Sequence, residues 1–406
     1  MVGVAGLGER SLGYISQMAV RVGDGRLMFT GKGIFEAYRL SRVFRKVVFV
    51  GFSSGRRFLG VRVGSRFVVY SIPRFVGEFG RGVIGLLRVV WAGIKHLILV
   101  TAYLLAVVLR ESLDLLRVEN IGLVGFPTFL VSLLTGRRYV LWVGGSEKDV
   151  LKLKLRGFPL LDLVLSVFDV MCRMVVRRAC HVVTVISGMR EYLRRMGARR
   201  LLVLGVNFVD TGLFRPGVAS GWLLREKGGK KIVLYVGRLE REKGVRELVE
   251  AMASVSRVIS DVELWVVGDG TLREELREVA RRLGVPARFW GTRDMRELPN
   301  FYRVADVFVL PSLVEEDAPA ALLEAMACGA AVVSTSRLVE RGGGCGVLVY
   351  RGDLDGLSDA IIRLLRDECL RRELGRRAEE FVGEYASKYF SAMMNVYMGC
   401  LGVKRQ

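Results

Sequence analysis

Two periodicities alternate along this chain, and their order predicts the fold. Lys231–Val236, Leu264–Val267 and Val307–Leu310 are apolar runs of strand length, closed by glycine or by proline and serine. Between the first two, Val245, Leu248, Val249, Met252 and Val255 recur at the spacing of a helix that buries one face. Thr271 and Glu274 have the spacing of a capping box, for a helix that turns Leu272, Leu276, Val279 and Leu283 inward. Further strands are expected at Val332–Ser334 and Gly346–Tyr350, and helices from Ser358 to the end; Arg288–Trp290 leads to Gly291, and Leu298–Arg303 precedes the strand that runs into Pro311. Buried strands alternating with helices predict a parallel sheet covered on both faces.

The first half follows the same logic less regularly. Met18–Val22, Lys46–Gly51, Arg66–Ile72, Ile121–Phe126, Tyr139–Val143 and Val182–Ile186 read as strands, with helices around Thr128–Leu134 and Gly188–Met196, and Leu201–Val206 leads into the segment that starts at Asn207. Between the first two strands, Gly31-Lys32-Gly33 precedes a helical pattern. That is how a doubly wound sheet opens, its glycines allowing a ligand close to the backbone, although an ordinary turn uses the same residues.

The length of 406 residues suits two or three domains. Net charge is +21, and it is uneven: residues 1–210 hold 32 Lys+Arg against 13 Asp+Glu (+19), residues 211–406 hold 30 against 28 (+2). An anionic partner for the first half is expected, whether membrane surface, phosphate-bearing acceptor or nucleic acid. Nucleic acid is disfavoured, because the aromatics sit in apolar runs and not clustered on a basic face. Six cysteines without a C-x-x-C pair read as buried thiols in a reducing compartment, and two histidines leave little for a zinc centre or a His-based triad. Scarce amides beside many charges fit a heat-adapted, thermophilic protein. Met1–Ser16 lacks the pattern of a leader peptide. Leu97–Leu109 is uncharged for 13 residues, short of the roughly 18–20 of a spanning helix, so a buried or interfacial helix is expected. Leu151–Arg178 mixes basic and apolar residues, as an interfacial helix or a core helix with a solvated basic face would.

The candidate chemistry lies in the second half. After Val307–Leu310 comes Pro311, and Pro319 can take a first helical position, with Gly329 ending that helix. Glu316 then falls in the loop before the helix and Glu324 inside it. Two carboxylates near exposed backbone N–H groups can hold hydroxyls beside a phosphate; they can equally be surface acids. Arg238 and Lys243 follow a buried strand, where open α/β sheets bind ligands. A guanidinium and an ammonium suit a diphosphate, although surface salt bridging uses the same residues. No paired-acid metal motif is visible.

These segments together resemble the retaining glycosyltransferases of family 4 (group 1). Gly237-Arg238-Leu239, Lys243-Gly244, the lead-in Ala305–Ser312, and Glu316 and Glu324 with seven residues between them before Ala325-Met326-Ala327-Cys328-Gly329 stand in family order. Asn207-Phe208-Val209-Asp210 through Pro216 is similar to the family's interdomain segment, with Phe208 in place of glycine. Other departures are Asp317 and Ala318 after the first glutamate, Ala331 for a proline, and Gly144-Gly145-Ser146 where a histidine is usual. The likeness covers about 201–385 well and the first 200 residues thinly.

The resemblance implies an α/β fold of GT-B architecture, two doubly wound Rossmann-like domains facing a central cleft. Residues 1–210 would be the acceptor-side domain, 211–385 the nucleotide-sugar domain, and 386–406 a helix crossing back to the first domain. It implies sugar transfer from a nucleotide sugar with Arg238, Lys243 and Glu316 as catalytic residues. Donor contacts would come from Gly31, Gly33, Gly237, Arg238, Lys243, Gly291, Glu316, Asp317, Ala318 and Glu324. Neither metal nor cofactor is expected. The implied partners are a nucleotide sugar, a lipid-phosphate or glycan acceptor and an anionic membrane surface, for a cytoplasmic protein peripheral to the cytoplasmic membrane face. A GT-B-fold sugar-nucleotide epimerase, a phosphorylase and a non-catalytic basic nucleic-acid binder are the alternatives.

Overall fold

The computed structural model describes residues 6–23, 26–28, 32–53, 59–73, 82–145, 151–152, 161–205, 207–314, 316 and 318–403. The chain divides into two compact units, Met1–Gly205 with Ser391–Gln406, and Val206–Phe390.

The first unit runs β1 (Ser11–Gly23), β2 (Arg26–Met28), α1 (Lys32–Leu40), β3 (Lys46–Ser53), β4 (Leu59–Val63), β5 (Phe67–Pro73), α2 (Gly82–Arg110), β6 (Leu115–Glu119), α3 (Gly125–Thr135), β7 (Arg138–Val143), α4 (Leu161–Arg178), β8 (His181–Thr184), α5 (Met189–Arg195) and β9 (Leu201–Val203). The sheet has the order β4-β5-β3-β1-β6-β7-β8-β9, with β2 paired to β1. Its strands are parallel except at the β4–β5 and β1–β2 pairs. Parallel strands buried on both faces need continuous apolar sequence, which Val47–Val50 and Tyr139–Val143 supply, all wholly or nearly wholly buried.

β6 breaks that rule, and the strand expected at Ile121–Phe126 is not there. The strand is Leu115–Glu119, and Phe126 already belongs to α3. Arg117, in its middle, is 1 % exposed. Its guanidinium grips both oxygens of Glu36, one at 2.8 Å, donates to the Tyr397 hydroxyl at 2.7 Å, and lies 4.5 Å from the Tyr14 ring. A charged residue inside a buried strand is sustained by this pairing. A second correction concerns the cysteines. Cys180 and Cys400, 220 residues apart, form a disulfide, and Cys369 is exposed, so only Cys172, Cys328 and Cys345 are buried thiols.

The second unit runs α6 (Gly221–Lys227), β10 (Lys231–Val236), a 3-10 turn at Arg241–Lys243, α7 (Val245–Val258), β11 (Val262–Val267), α8 (Arg273–Arg282), β12 (Ala287–Gly291), α9 (Leu298–Val304), β13 (Val307–Leu310), α10 (Ala320–Ala327), β14 (Val332–Ser334), α11 (Leu338–Arg341), β15 (Val347–Leu348), α12 (Leu354–Arg366) and α13 (Glu368–Leu401). Its six strands form one parallel sheet, β12-β11-β10-β13-β14-β15, with Val233 opposite Val307 and Phe308 opposite Val332. The α7 stripe is buried as its spacing predicts. The capping box at α8 does not form: Thr271 donates through its hydroxyl to Glu240 at 2.7 Å, and Leu272 stands at the cap without a side-chain bond. Glu240 outcompetes the local partner, and Leu283 stays 38 % exposed. Pro319 caps α10 and precedes its first turn, while Gly329 ends it at φ +76.

α13 belongs to the second unit through Phe390 and to the first from Ser391 on. In the first unit its end is held three ways: Tyr397 on Arg117, the Cys180–Cys400 disulfide, and Arg138 donating to the Cys400 carbonyl at 3.0 Å. Arg117→Met would strand the Glu36 carboxylate in the core. It is expected to cost about 3 kcal/mol in urea unfolding, and adding Glu36→Leu should restore most of it. A single-variant loss under about 1 kcal/mol would contradict this account of β6.

Candidate functional site

In an open parallel sheet the strand ends on the carboxyl side release the chain into loops, and those loops gather where ligands bind. In the second unit, β10, β11 and β12 end at Gly237, Gly268 and Gly291. Their backbones are joined in a row: Gly237 N–H donates to the Val267 carbonyl at 3.0 Å and Gly268 N–H to the Gly291 carbonyl at 2.9 Å. Gly268 has φ +138, and a Cβ there would lie 1.8 Å from the Gly237 carbonyl oxygen. Gly244 has φ +66, with Pro311 oxygen 2.0 Å from where its Cβ would be. Only glycine permits this closeness, so the loop after β10 lies directly on the loop after β13.

That contact brings the expected charges together. The Lys243 ammonium and the Glu316 carboxylate are 2.6 Å apart, and both are only partly exposed. Glu316 also accepts a bond from the Ser312 hydroxyl, and its carbonyl accepts one from the Ser336 hydroxyl at 2.9 Å. Thr335 in turn donates to the Ser312 carbonyl at 2.7 Å, and Leu313 N–H to the Glu242 carbonyl at 2.9 Å. Loops from β10, β13 and β14 thus hold one carboxylate against one ammonium. Arg238 is more exposed and pairs with Glu242 at 2.8 Å. Its carbonyl accepts from the Tyr235 hydroxyl at 2.8 Å, and burial, with the Glu316 charge, raises the Tyr235 pKa.

Glu324 sits in the second turn of α10, 4 % exposed, and accepts the Tyr302 hydroxyl at 2.9 Å. Burial and then the Glu324 charge push the Tyr302 pKa well up, so Tyr302 remains a donor at any ordinary pH. Ala318 is buried, and its carbonyl accepts the Asn207 side-chain amide at 3.2 Å.

The structure therefore gathers Gly237, Lys243 and Glu316 at one sheet edge, with Gly291 two strands along. Arg238 is nearby in the chain, and Glu324 accepts the Tyr302 hydroxyl. Gly31 and Asp317, like Ser146, lie outside the described residues. Gly33 belongs to the first unit. A Cβ on it would meet a Glu119 carboxylate oxygen at 2.9 Å. Glu119 accepts bonds from Tyr14 (2.6 Å) and Ser16, and burial raises its pKa despite the Arg117 charge. Ser312, Tyr302, Thr335 and Ser336 were not singled out in the sequence. The run Ser334-Thr335-Ser336, which closes β14 and continues past it, was the available signal.

Residues 230–367 match the family model described as glycosyl transferases group 1. A phosphatidyl-myo-inositol mannosyltransferase of Mycobacterium leprae is 38 % identical over 173 residues, 41 % of this chain and 46 % of that protein. The lipopolysaccharide core biosynthesis glycosyltransferase LpsE of Rhizobium meliloti is 32 % identical over 224 residues, 53 % of this chain and 62 % of that protein. The chain thus spans less than two thirds of the curated relatives it matches here. Among solved structures, sucrose-phosphate synthase from Thermosynechococcus elongatus superposes with a TM-score of 0.68 at 19 % identity, over 96 % of this chain and 99 % of that one. Anabaena HepE, in complex with UDP and glucose, gives 0.63 at 17 % identity over 95 % and 100 %. At such identities the likeness shows the fold alone. Residues 230–367 of the chain thus match a group 1 glycosyltransferase domain, within a GT-B fold.

Proposed function

We propose that the whole chain is a retaining glycosyltransferase, moving a sugar from a nucleotide-sugar donor to an anionic or lipid-linked acceptor at the cytoplasmic face of a membrane. The observation that carries this reading is the Lys243–Glu316 pair, held by three loops at the carboxyl edge of the second unit's sheet. An ammonium there can neutralise a departing diphosphate, and the Glu316 carboxylate can accept hydroxyls of the transferred sugar. Arg238, on the same loop as Lys243, adds a planar donor. Glu324, oriented by Tyr302 within α10, is assigned to the nucleotide ribose.

In the proposed reaction the bond between the sugar's anomeric carbon and the phosphate oxygen breaks first. The acceptor oxygen bonds to that carbon from the same face, and its proton passes to the leaving phosphate. The chain's work is then electrostatic stabilisation of the diphosphate, not side-chain acid–base chemistry. This suits a protein with two histidines, both outside the second unit. No resident metal or cofactor is part of the proposal. The acceptor class is supported by the +19 charge of residues 1–210 and by the phosphatidyl-myo-inositol named for the mycobacterial relative. The first unit is assigned to the acceptor and the second to the donor, on the same reading.

Arg238→Ala and Lys243→Ala should each lower turnover at least about a hundredfold, the scale of losing one preorganised charge donor. Turnover within a few-fold of the parent in both would refute the diphosphate assignment. Glu324→Gln should weaken both the intact donor and the free nucleoside diphosphate in calorimetry, since the ribose is common to them. Glu316→Gln should weaken the donor and spare the nucleoside diphosphate. The same pattern from both variants would mean the two glutamates are misassigned.

A further inference from the structure

Helix α2 buries one stripe and bares another, and both are apolar. Val100, Leu104, Val107 and Val108 pack into the core, and His96 contacts the Leu123 carbonyl at 3.1 Å. On the other side Trp91, Ile94, Ile98, Ala102, Ala106 and Leu109 follow at steps of three or four residues, all exposed, Trp91 at 71 % and Ile98 at 61 %. An exposed helix face in water ordinarily carries polar and charged residues. α2 has no acidic residue; Lys95 and Arg110 stand on its exposed side.

The neighbouring helices continue the surface. The connections β5–α2–β6, β6–α3–β7 and β7–α4–β8 all join parallel strands and progress in one direction across the sheet. Right-handed crossovers therefore put α2, α3 and α4 on one face, and α3 packs against both of the others. α3 bares Leu133 and Leu134, and α4 bares Leu163, Val167, Val170 and Met174 at helical spacing, beside the exposed Arg173, Arg177 and Arg178. Eleven of the eighteen exposed large apolar side chains among the described residues belong to these helices or to Leu123 before α3. Such concentration marks an interaction surface and not ordinary scatter.

We propose that this three-helix face is a lipid-binding surface that lies on an anionic leaflet, with the apolar stripes of α2 and α4 among the acyl chains and the arginines and lysine at the headgroups. The inference rests on the membrane-face reading given above and names the surface responsible. Basic residues beside an apolar stripe fit an anionic interface. A second copy of the chain would bring two basic faces together. Trp91–Arg110 has the length and hydropathy of a span, but it cannot leave the domain cheaply. Its inner stripe is core, and Glu111 just beyond it holds Lys46 at 2.7 Å and Tyr70 at 2.6 Å. The helix therefore meets the bilayer sideways.

The test is co-sedimentation of the full chain with phosphatidylcholine vesicles, with and without phosphatidylglycerol, at low and high salt. The protein should bind the phosphatidylglycerol vesicles more, and a salt-resistant part should remain. Ile98→Asp with Val167→Asp should lower the partition coefficient at least about tenfold, since charge then replaces inserted apolar surface. Thermal melting should be unchanged, because both positions are exposed. Brominated lipid should quench tryptophan fluorescence, and Trp91→Phe should remove most of that quenching. Equal, negligible binding to both vesicle types overturns the proposal, as does binding that the double variant leaves intact. A dimer in solution that Ile98→Asp dissociates would assign the face to a second copy, and resistance to alkaline carbonate extraction would make α2 a span; either also overturns it. Nucleoside diphosphate release from donor in the same preparations separates the two failures. Intact release without vesicle binding removes the surface alone, and no release with any donor removes the glycosyltransferase reading.

Discussion

The second unit's site depends on backbone touching backbone. At Gly244 and Pro311 the loops after β10 and β13 approach so closely that a single Cβ would collide with a carbonyl oxygen. A parallel sheet brings all its carboxyl ends to one edge but leaves the loops free to diverge. Here the glycines remove that freedom, because other residues rarely adopt their conformations and their neighbours fill the space a side chain would need. The two loops must then fold as a unit, and Lys243 and Glu316 meet as a consequence.

Charge follows from that contact. An ammonium facing a carboxylate in a partly shielded edge is screened less than a surface pair, so each holds the other in place before any substrate arrives. Preorganised groups of this kind stabilise developing charge without reorganising during the reaction. Ser312, Ser336 and Thr335 extend the constraint to β14, fixing Glu316 through side chain and carbonyl alike. The first unit solves a different problem. It buries Arg117 of β6 against Glu36 of α1 within a largely apolar core, and bares apolar helix surface outside. Buried polar groups there are tied by Tyr14, Ser16 and Tyr397, the last from α13.

Legibility in the sequence tracks these differences. In the second unit, strands buried on both faces write themselves as apolar runs, and β10, β11 and β13 were readable almost to the residue. In the first unit, β6 was hidden because Arg117 and Glu119 interrupt its apolar pattern, and β1 was seen only in part because Ser16 and Tyr14 bond a buried carboxylate. No local pattern could mark the Cys180–Cys400 bond, which joins residues 220 positions apart. At the site, Lys243 and Glu316 are legible through the family resemblance, whereas Tyr302 and Ser312 act through contacts that only folding creates. The α8 capping box failed for the same reason, since Glu240, 31 residues earlier, takes Thr271. The uncharged core of α2 was visible, but not that one of its faces would remain uncovered.

The most direct test is nucleoside diphosphate release over a panel of nucleotide sugars, each with and without lipid-phosphate acceptors. The account predicts that at least one donor releases its nucleotide far faster when an acceptor is present, and that the sugar is recovered on the acceptor with its anomeric configuration retained. Conversion of the sugar nucleotide without any acceptor, or transfer with inverted configuration, would contradict it.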